Sequence, residues 1–234
     1  MAQVSKLPPS GYHRGMTRPP SAALFPTLAG LAPESRGLLE RSLQRIACPC
    51  GTPLVRRGDL VAGAYLVEKG ALRVYYVGPD GREGTLYWVE PGQSCILALN
   101  CTFTRLAYPA WVESEGATEV TIVPGEIYRR LFAIDPAVQA FTFEVLSGRL
   151  FELMALVEET ASQGLEARVA AFLLRRAKGG REVAITQEQI ARHLATSREV
   201  VSRVLRALAA RRLVTTTQRR ITLVDPAALG DVAG

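Results

Sequence analysis

The stretch that decides the fold is Thr186-Gln-Glu-Gln-Ile-Ala-Arg-His-Leu-Ala-Thr-Ser-Arg-Glu-Val-Val-Ser-Arg-Val-Leu205, which carries two helix-start signals ten residues apart. Thr186 with Gln189, and Thr196 with Glu199, each have the spacing of a capping box. In such a box a hydroxyl accepts from a backbone N–H, and the side chain three positions on reaches back to the first residue. The stretch therefore predicts two short helices joined by a tight turn, which is a helix-turn-helix.

The two predicted helices each have one apolar face and one polar face. Ile190 and Leu194 share a face of the first helix, and the apolar positions of the second are Val200, Val201, Val204, Leu205 and Leu208. The residues that then face outward are Ser197, Arg198, Glu199, Ser202 and Arg203. Arginine can donate twice to guanine, glutamate can accept from cytosine, and serine can bond to phosphate, so the face suits a DNA major groove. The alternative is an ordinary amphipathic helix with a solvated charged face.

The segment from Ile185 to Leu205 resembles the DNA-binding helix-turn-helix of the CRP/FNR family of bacterial transcription regulators. In that family an arginine, a glutamate and a second arginine contact bases, and these match Arg198, Glu199 and Arg203. The resemblance implies a palindromic double-stranded operator with half-sites similar to TGTGA, and RNA polymerase as a partner. The candidate DNA contacts are Thr186, Gln187, Thr196, Ser197, Arg198, Glu199, Ser202, Arg203, Arg219 and Arg220.

The positive charge of the chain is concentrated in its C-terminal third. The 234 residues have a net charge of +6. Between Arg168 and Arg220 the only acidic residues are Glu182, Glu188 and Glu199, among many arginines, as a DNA-facing module requires. No stretch is long and apolar enough to cross a membrane, and the N-terminus lacks an apolar signal core. We therefore expect a cytoplasmic protein with no membrane partner.

The middle of the chain has the pattern of a β-domain. From Cys48 to Val123, short β-rich runs alternate with glycines, and the runs 71–77 and 85–89 flank a turn at Gly78–Gly81. Many short strands at regular spacing favour a barrel or jelly roll. Gly58, Gly70 and Gly92 fall where the cyclic-nucleotide-binding-type β-roll of the CRP/FNR family has turn glycines, so the resemblance extends from about residue 24 to the winged helix-turn-helix.

The expected fold is α+β, with four segments. Residues 1–20 form a flexible arm, 21–134 a jelly-roll or β-roll sensor domain with flanking short helices, 135–162 a dimerisation helix, and 163–234 the winged helix-turn-helix. Within the last segment, residues 165–178 are expected to be helical and Thr215 to Val224 to form the wing. The tail from Asp225 is expected to be weakly ordered.

The helix expected after Asp135 has two apolar sets. Asp135 and Pro136 provide a cap and a first-turn proline. One set recurs at spacings of three and four and predicts the seam of a parallel homodimer: Phe143, Leu146, Leu150, Leu153 and Val157. The second set, Phe141, Val145 and Phe151, is expected to pack on the chain's own β-roll. The alternative is a helix wholly buried in one core.

The signal to which such a regulator responds is not expected to be cyclic AMP. The resemblance places a ribose-binding glycine-glutamate pair and a phosphate-binding arginine-serine pair in this β-roll, and neither is present. Tyr108-Pro109 occupies the position of the second pair, and Arg105 is out of register. Without a buried cation, the cyclic phosphate would leave its charge unpaired, which is unfavourable.

Cysteine is the remaining candidate for sensing chemistry. Cys95 and Cys101 lie in the segment that lines the family's nucleotide site, and Cys48 and Cys50 stand at the first strand. They are either small buried hydrophobic side chains or a switch that acts by a reversible disulfide, a soft metal or an iron–sulfur cluster. Cys95 and Cys101 are the leading pair and the candidate metal ligands. Heme held by histidine is not expected, because the only histidines are His13, in the arm, and His193, which we interpret as a satisfied surface residue. Heme held by a cysteine stays an alternative.

Three other functions compete with a signal-dependent regulator. An effector-independent regulator controlled by its own abundance would show the same altered nucleotide site. A cupin-like enzyme would need a histidine cluster, which the sequence lacks along with any nucleophile-base pair, so we expect no enzyme and no catalytic residue. A cyclic-nucleotide-binding module of a larger signalling system is disfavoured by the missing phosphate-binding pair.

Overall fold

The chain folds into two units with separate cores. The computed structural model describes residues 25–61, 63–162 and 164–234, so the predicted arm, residues 1–20, lies outside the described residues. Contacts group the residues up to Tyr75 with Leu86–Glu152, and Tyr76–Thr85 with Leu153–Gly234. No helix in the described part of the chain has both the length and the apolar character needed to span a bilayer.

The first ten elements run from the N-terminal helices to the long helix. In chain order they are α1 Pro26–Ala29, α2 Pro33–Ser42, β1 Gln44–Cys48, β2 Pro53–Val55, β3 Gly63–Val77, β4 Glu83–Val89, α3 Ile96–Thr104, β5 Trp111–Pro124, α4 Gly125–Ile134 and α5 Pro136–Ser162. The strands form a five-stranded sheet in the order β1-β5-β3-β4, with β2 also paired to β5. Together with the helices they give the predicted β-roll, so the predicted α+β fold class is confirmed.

Strand β3 is longer than the sequence pattern predicted. The expected strand at residues 71–77 is the second half of β3, which pairs antiparallel to β5 from Gly63 opposite Pro124 to Tyr75 opposite Trp111. Irregularities around Lys69 bend the pair, which is how one long strand can turn around a roll. The turn at Gly78–Gly81 forms as expected, since Gly81 adopts a φ of +77° and donates its N–H to the Gly78 carbonyl at 3.0 Å.

The core of the first unit lies between the sheet and the helices around it. Side chains from α1, α2, β3, α3, β5, α4 and α5 meet in one apolar cluster, whose members include Phe25, Leu39, Leu66, Leu99, Val123, Leu131 and Phe141. Phe25 and Phe141 pack edge to face with their ring centroids 6.2 Å apart. This cluster fixes the first half of α5 against the β-roll, and that position matters for the candidate sensor below.

Helix α5 begins at the predicted cap, but one predicted inward residue faces solvent. The Asp135 carboxylate accepts from the Ala137 N–H at 2.9 Å and from the Ala32 N–H at 3.1 Å. Phe141 is buried and Val145 packs against the core, whereas Phe151 is 71 % exposed, so its predicted packing on the β-roll is wrong. The inward face follows positions 141, 145 and 149 at spacings of four, and Phe151 lies off that face.

The remaining elements build a small helical unit with its own sheet. They are α6 Leu165–Ala177, β6 Glu182–Val183, α7 Gln187–His193, α8 Arg198–Ala210, β7 Val214–Thr216, β8 Ile221–Leu223 and α9 Pro226–Ala233. The strands pair in the order β6-β8-β7. Helix α6 ends where the sequence predicted, with Lys178 and Gly179 both at positive φ.

The expectation of a weakly ordered tail after Asp225 is wrong. Asp225 caps α9, since its carboxylate accepts from the Ala228 N–H at 3.0 Å, and Pro226 takes the first helical position. Leu229 is fully buried, and α9 packs against α6. One buried leucine on an eight-residue helix supplies the apolar contact that the short tail needs to remain folded.

Candidate nucleic-acid interface

The first predicted capping box is present at the start of α7. The Thr186 hydroxyl accepts from the Gln189 N–H at 3.2 Å, and the Thr186 N–H donates to the Gln189 side-chain oxygen at 2.9 Å. Both residues of the pair therefore satisfy helix-end donors as the spacing predicted. Ile190 and Leu194 are buried, which anchors α7 on the apolar side of the unit.

The second predicted capping box, Thr196 with Glu199, is wrong. Helix α8 starts at Arg198 with Ser197 as its cap, and the Ser197 hydroxyl accepts from the Val200 N–H at 3.4 Å. Thr196 instead donates its backbone N–H to the Ala191 carbonyl at 3.0 Å, which closes the end of α7. Either Thr196 or Ser197 can cap a helix, and the length of the turn decides which one does.

The turn between the helices includes a strained alanine, and the first turn of α8 holds Glu199. Ala195 has a φ of +52°, a region that favours glycine. The carboxylate of Glu199 is exposed, and its pKa is lowered first by a hydrogen bond from its own backbone N–H and next by one from the Ser197 hydroxyl. Glu199 therefore stays ionised and able to accept a hydrogen bond.

The face of α8 that was predicted to contact DNA is accessible. Arg198, Glu199 and Arg203 are exposed and Ser202 is half-buried, on the side opposite the buried residues Val201, Leu205 and Leu208. Thr186, Gln187, Thr196 and Ser197 are half-buried near the starts of the two helices. The arrangement presents two guanidinium groups and one carboxylate from a rigid helix, which is the donor and acceptor set suited to base edges in the major groove.

The predicted wing is the β7–β8 hairpin. Its tip is closed by the Thr217 N–H, which donates to the Arg220 carbonyl at 2.8 Å. Arg219 is exposed at the tip. Arg220 is exposed too, but its guanidinium lies 3.0 Å from the Glu182 carboxylate, so contact with a phosphate would compete with this ion pair.

The second histidine of the chain has a protein partner. His193 Nδ1 lies 2.9 Å from the Thr85 hydroxyl, and its ring packs 5.2 Å from that of Phe172, centroid to centroid. The Thr85 hydroxyl gives the His193 ring the hydrogen-bond partner that was predicted. The side chain is half-buried, so it is less exposed than the predicted surface residue.

The predicted dimer seam on α5 is an exposed apolar stripe. Phe143, Leu150 and Val157 are 61 %, 57 % and 66 % exposed, and Leu146 and Leu153 are half-buried. Phe151 and Met154, which were not assigned to the seam, are exposed on the same helix. An apolar surface of this kind on one helix is more typical of an interaction surface than of a solvated face.

The residues of the candidate sensor form a buried cluster in the first unit. Cys95 lies just before α3, and its Sγ is 3.2 Å from the Tyr108 hydroxyl and 3.8 Å from the Tyr87 hydroxyl. All three side chains are at most 6 % exposed. Burial, and next the Cys95 thiol, raise the pKa of both tyrosines well above its ordinary value, so both phenols are neutral hydrogen-bonding groups.

The other cysteines are placed differently. Cys101 is buried in α3, and burial, followed by the neighbouring Cys95 thiol, raises its pKa. Cys48 is buried in β1, where burial raises its pKa to about 11, and Cys50 is exposed. All four are free thiols. Within residues 25–61, 63–162 and 164–234, no three His, Cys, Asp or Glu side chains come together as a metal site.

Helix α3 keeps the leading cysteine pair apart. Cys95 stands at the N-cap position of the helix, and Cys101 follows six residues later. At about 1.5 Å of rise per residue, their Cα atoms are separated by about 9 Å along the axis. A disulfide needs a Cα separation below about 7 Å, so the pair predicted from the sequence cannot form one while α3 is intact.

The cluster also contains a cation that was not among the predicted sensor residues. Arg149 on α5 is only 6 % exposed, its guanidinium lies 5.2 Å from the centre of the Tyr87 ring, and it donates to the Gln93 side-chain oxygen. The premise that this region lacks a buried cation is therefore wrong. The signal was present in the sequence, because Arg149 continues the inward positions 141 and 145 at a spacing of four.

Comparisons with known proteins agree with both units. Residues 45–135 match the family model described as a cyclic nucleotide-binding domain, and residues 167–232 match the Crp-like helix-turn-helix domain. The cyclic AMP receptor protein of Thermus thermophilus is 31 % identical over 211 residues, which is 89 % of this chain and 96 % of that protein. The cAMP-activated global regulator CRP of Salmonella typhimurium is 25 % identical over 75 % of this chain and 87 % of that protein.

A solved structure of a CRP/FNR-family regulator is also similar to this chain. A CRP/FNR-family transcriptional regulator from Eubacterium rectale is 31 % identical and superposes with a TM-score of 0.80, covering 90 % of this chain and 99 % of that one. The helix-turn-helix with its exposed Arg198, Glu199 and Arg203, the β-roll and the long helix therefore confirm the family predicted from the sequence. The chain is a member of the CRP/FNR family of DNA-binding transcription regulators.

Proposed function

We propose that the protein acts as a homodimer on a palindromic operator, and that oxidation of the thiol cluster at Cys95 changes its affinity for DNA. The observation that carries the signal is the buried contact of Cys95 Sγ with the Tyr108 and Tyr87 hydroxyls, at 3.2 Å and 3.8 Å. Arg198, Glu199 and Arg203 would contact base edges, Arg219 would contact phosphate, and RNA polymerase would be the partner at the promoter.

The exposed stripe of α5 supports the homodimer. Three of the five seam residues are more than half exposed, a state that an isolated chain would not favour in water. Pairing two α5 helices buries the stripe and gives the protein two recognition helices. Two-fold symmetry then matches a pseudo-palindromic site whose half-sites lie about one turn, roughly 34 Å, apart.

Cyclic AMP is the effector named for two relatives, but the cluster here does not favour it. Tyr108 stands where the phosphate-binding arginine is expected, and its hydroxyl is already in contact with Cys95. Tyr108 and Cys95 are each 1 % exposed, so these side chains fill the position themselves. Arg149 could offset part of the charge of a phosphate, but admitting the nucleotide would require Tyr108 to move.

Oxidation of Cys95 would begin with a hydroperoxide. The thiolate sulfur attacks one peroxide oxygen, the O–O bond breaks, and the leaving oxygen takes up the proton, giving a sulfenic acid and water or an alcohol. The sulfur loses two electrons and the peroxide gains them. Condensation of the sulfenic acid with Cys101 would release water and form a disulfide, and this step requires α3 to unwind.

Oxidation is favoured over metal binding because the cluster offers few ligands. Cys95 and Cys101 are two thiols, and the described residues bring no third His, Cys, Asp or Glu to them. Zinc sites in proteins use three or four protein ligands, and iron–sulfur clusters are usually held by four cysteines. A metal bound by this pair alone would need ligands from outside the cluster.

The test is DNA affinity measured on the full chain with an operator selected from a random pool. The protein is treated with hydrogen peroxide, with dithiothreitol or with zinc. We expect peroxide to change the dissociation constant at least tenfold, Cys95→Ser to abolish that change, and Cys50→Ser to retain it. Cys50 is the matched control because it is the exposed thiol. Equal affinities in all three treatments would refute the signal while leaving DNA binding intact.

A second candidate function is regulation without an effector. The observation that favours it is the close packing of Cys95, Tyr87 and Tyr108, each at most 6 % exposed, which suits a structural core equally well. In that case Cys95→Ser would lower the free energy of unfolding without altering any response of DNA binding. Measuring both quantities on the same variant separates the two functions.

A further inference from the structure

The buried guanidinium of Arg149 needs an explanation, because an arginine is always charged. Taking such a group out of water is unfavourable by several kcal/mol unless it is well partnered. Arg149 is 6 % exposed on the inward face of α5, the face that carries the apolar side chains Phe141 and Val145. A buried charge in place of an apolar residue points to a role beyond packing.

The partners of Arg149 are Tyr87 and Gln93, which lie in the sensor segment, the stretch from Tyr87 to Cys95. Its guanidinium lies 5.2 Å from the centre of the Tyr87 ring and donates to the side-chain oxygen of Gln93. That same oxygen accepts from the Glu90 N–H at 2.9 Å, so Gln93 is held in place by the backbone at the end of β4. Arg149 is therefore fixed against the sensor segment by a stacking contact and a hydrogen bond.

Tyr87 connects the guanidinium with the candidate sensor thiol. The face of its ring contacts Arg149, and its hydroxyl lies 3.8 Å from Cys95 Sγ. The charge of Arg149 also acts at that hydroxyl, since it lowers the pKa of Tyr87 against the larger raising effects of burial and of Cys95. One side chain thus separates the thiol of Cys95 from a fixed positive charge on helix α5.

We propose that Arg149 is the positioning residue through which the state of Cys95 reaches the helix that carries the dimer seam. The next seam position, Leu150, is adjacent to Arg149 in the chain and faces the other way. A new oxygen or negative charge on Cys95 has no room beside Tyr87 and attracts the guanidinium, so Tyr87 and Arg149 must shift together. Since Arg149 and the seam residue Leu150 are neighbours on the continuous helix α5, that shift moves the seam. This inference rests on the proposed function for its signal but not for its geometry.

A double-mutant cycle tests the coupling without any oxidation. Cys95→Asp places a fixed negative charge beside Tyr87, and Arg149→Met removes the guanidinium while keeping much of the side-chain volume. We expect Cys95→Asp to change the dissociation constant for operator DNA at least tenfold in the natural background and less than twofold with Arg149→Met. A purely structural role of Arg149 would lower stability but leave the two effects additive.

Two further variants make the result specific. Arg149→Lys keeps the charge but not the planar stack, so at least a threefold effect of Cys95→Asp should remain. Ser147 is exposed on the same helix, and Ser147→Ala should leave the tenfold effect of Cys95→Asp on DNA affinity unchanged. If Cys95→Asp does not fold, the cycle of Tyr87→Phe with Arg149→Met tests the second half of the connection, from the Tyr87 hydroxyl to Arg149, and additive effects on DNA affinity overturn the proposal.

The outcomes separate this inference from the redox signal. A protein that ignores peroxide but shows an Arg149-dependent effect of Cys95→Asp retains the coupling and loses the redox signal. A protein that responds to peroxide equally with and without Arg149→Met retains the signal and loses the coupling. The absence of any effect of Cys95→Asp in both backgrounds also overturns the coupling.

Discussion

Arg198 is the residue of the candidate interface with the best position for base recognition. It is exposed at the first position of α8, where the helix start directs its side chain away from the buried face. Arg203 and Glu199 share that exposure. By contrast, Arg220 is paired with Glu182, so it is less available for a contact with DNA than Arg198.

Arg198→Ala should weaken operator binding by about 1–3 kcal/mol and relax the preference at one base pair, because a bidentate contact to guanine is lost. The measurement is selection of bound DNA from a random pool, followed by titration of the best sequence. Arg211→Ala is the control, since Arg211 lies at the far end of α8 and pairs with Glu166 at 2.7 Å. An Arg198→Ala protein that selects the natural motif contradicts the assignment.

Ala195 is the residue that closes the turn of the helix-turn-helix, at a φ of +52°. A left-handed alanine is unfavourable by about 1–2 kcal/mol, while glycine gives back part of this through its freedom in the unfolded chain. Ala195→Gly should therefore raise the free energy of unfolding by about 0.5–1 kcal/mol. Urea denaturation checks this value. Ala207→Gly, on the exposed face of α8, should have the opposite sign, with a loss of about 1 kcal/mol.

At the scale of elements, the start of α5 is joined to the start of α2 through one carboxylate. Asp135 accepts from the N–H groups of Ala137 and Ala32. Burial raises the pKa of Asp135, but hydrogen bonds from Ser35 and from these two N–H groups outweigh that effect and lower the pKa below its ordinary value. The ionised carboxylate therefore stabilises the junction of the two helices.

The pKa of Asp135 is lower in the folded state than in the unfolded state. Its contribution to the free energy of unfolding is therefore present above the unfolded pKa of about 3.9, and it is lost as the pH falls through the folded pKa. Asp135→Asn should cost about 1–2 kcal/mol of stability at pH 7, with the difference from the natural protein shrinking below about pH 4. Chemical denaturation across pH 3–7 measures it. Asp225→Asn, a comparable cap on α9, controls for capping alone, and a pH-independent difference for Asp135→Asn would contradict the assignment.

At the scale of the whole molecule, pairing of two chains through the seam of α5 would determine that the DNA site has two half-sites. Leu150→Asp should dissociate the homodimer, because a charge replaces an apolar side chain in the buried seam, and operator affinity should fall at least tenfold, or about 1.4 kcal/mol, through loss of two-site binding. Sedimentation equilibrium and DNA titration check the two effects. Ile134→Asp is the matched control, since Ile134 is 59 % exposed against 57 % for Leu150 but lies outside the seam. Equal effects of the two variants would argue against this seam.

The sequence by itself determined the architecture and the identity of the family. Local signals did this: the Thr186–Gln189 box, the Asp135-Pro136 start, the turn at Gly78–Gly81 and the residues of α8 that match the family's base-contacting positions. Each acts within a few residues of chain, so each can be recognised without a fold. The same locality explains the error at Thr196, because two adjacent hydroxyl residues can both cap a helix.

Only the tertiary structure decided how the cluster of the candidate sensor is assembled. Tyr87, Cys95, Tyr108 and Arg149 come from four different places in the chain. The spacing of four from Phe141 and Val145 places Arg149 on the inward face of α5, but it does not predict which side chains Arg149 contacts there. Arg149 and Phe151 show the reason. Composition alone favours burial of the phenylalanine and exposure of the arginine, but the rotation of α5 against the β-roll turns position 149 inward and position 151 outward. That rotation is fixed by Phe25, Val138 and Phe141, whose packing depends on the whole first unit.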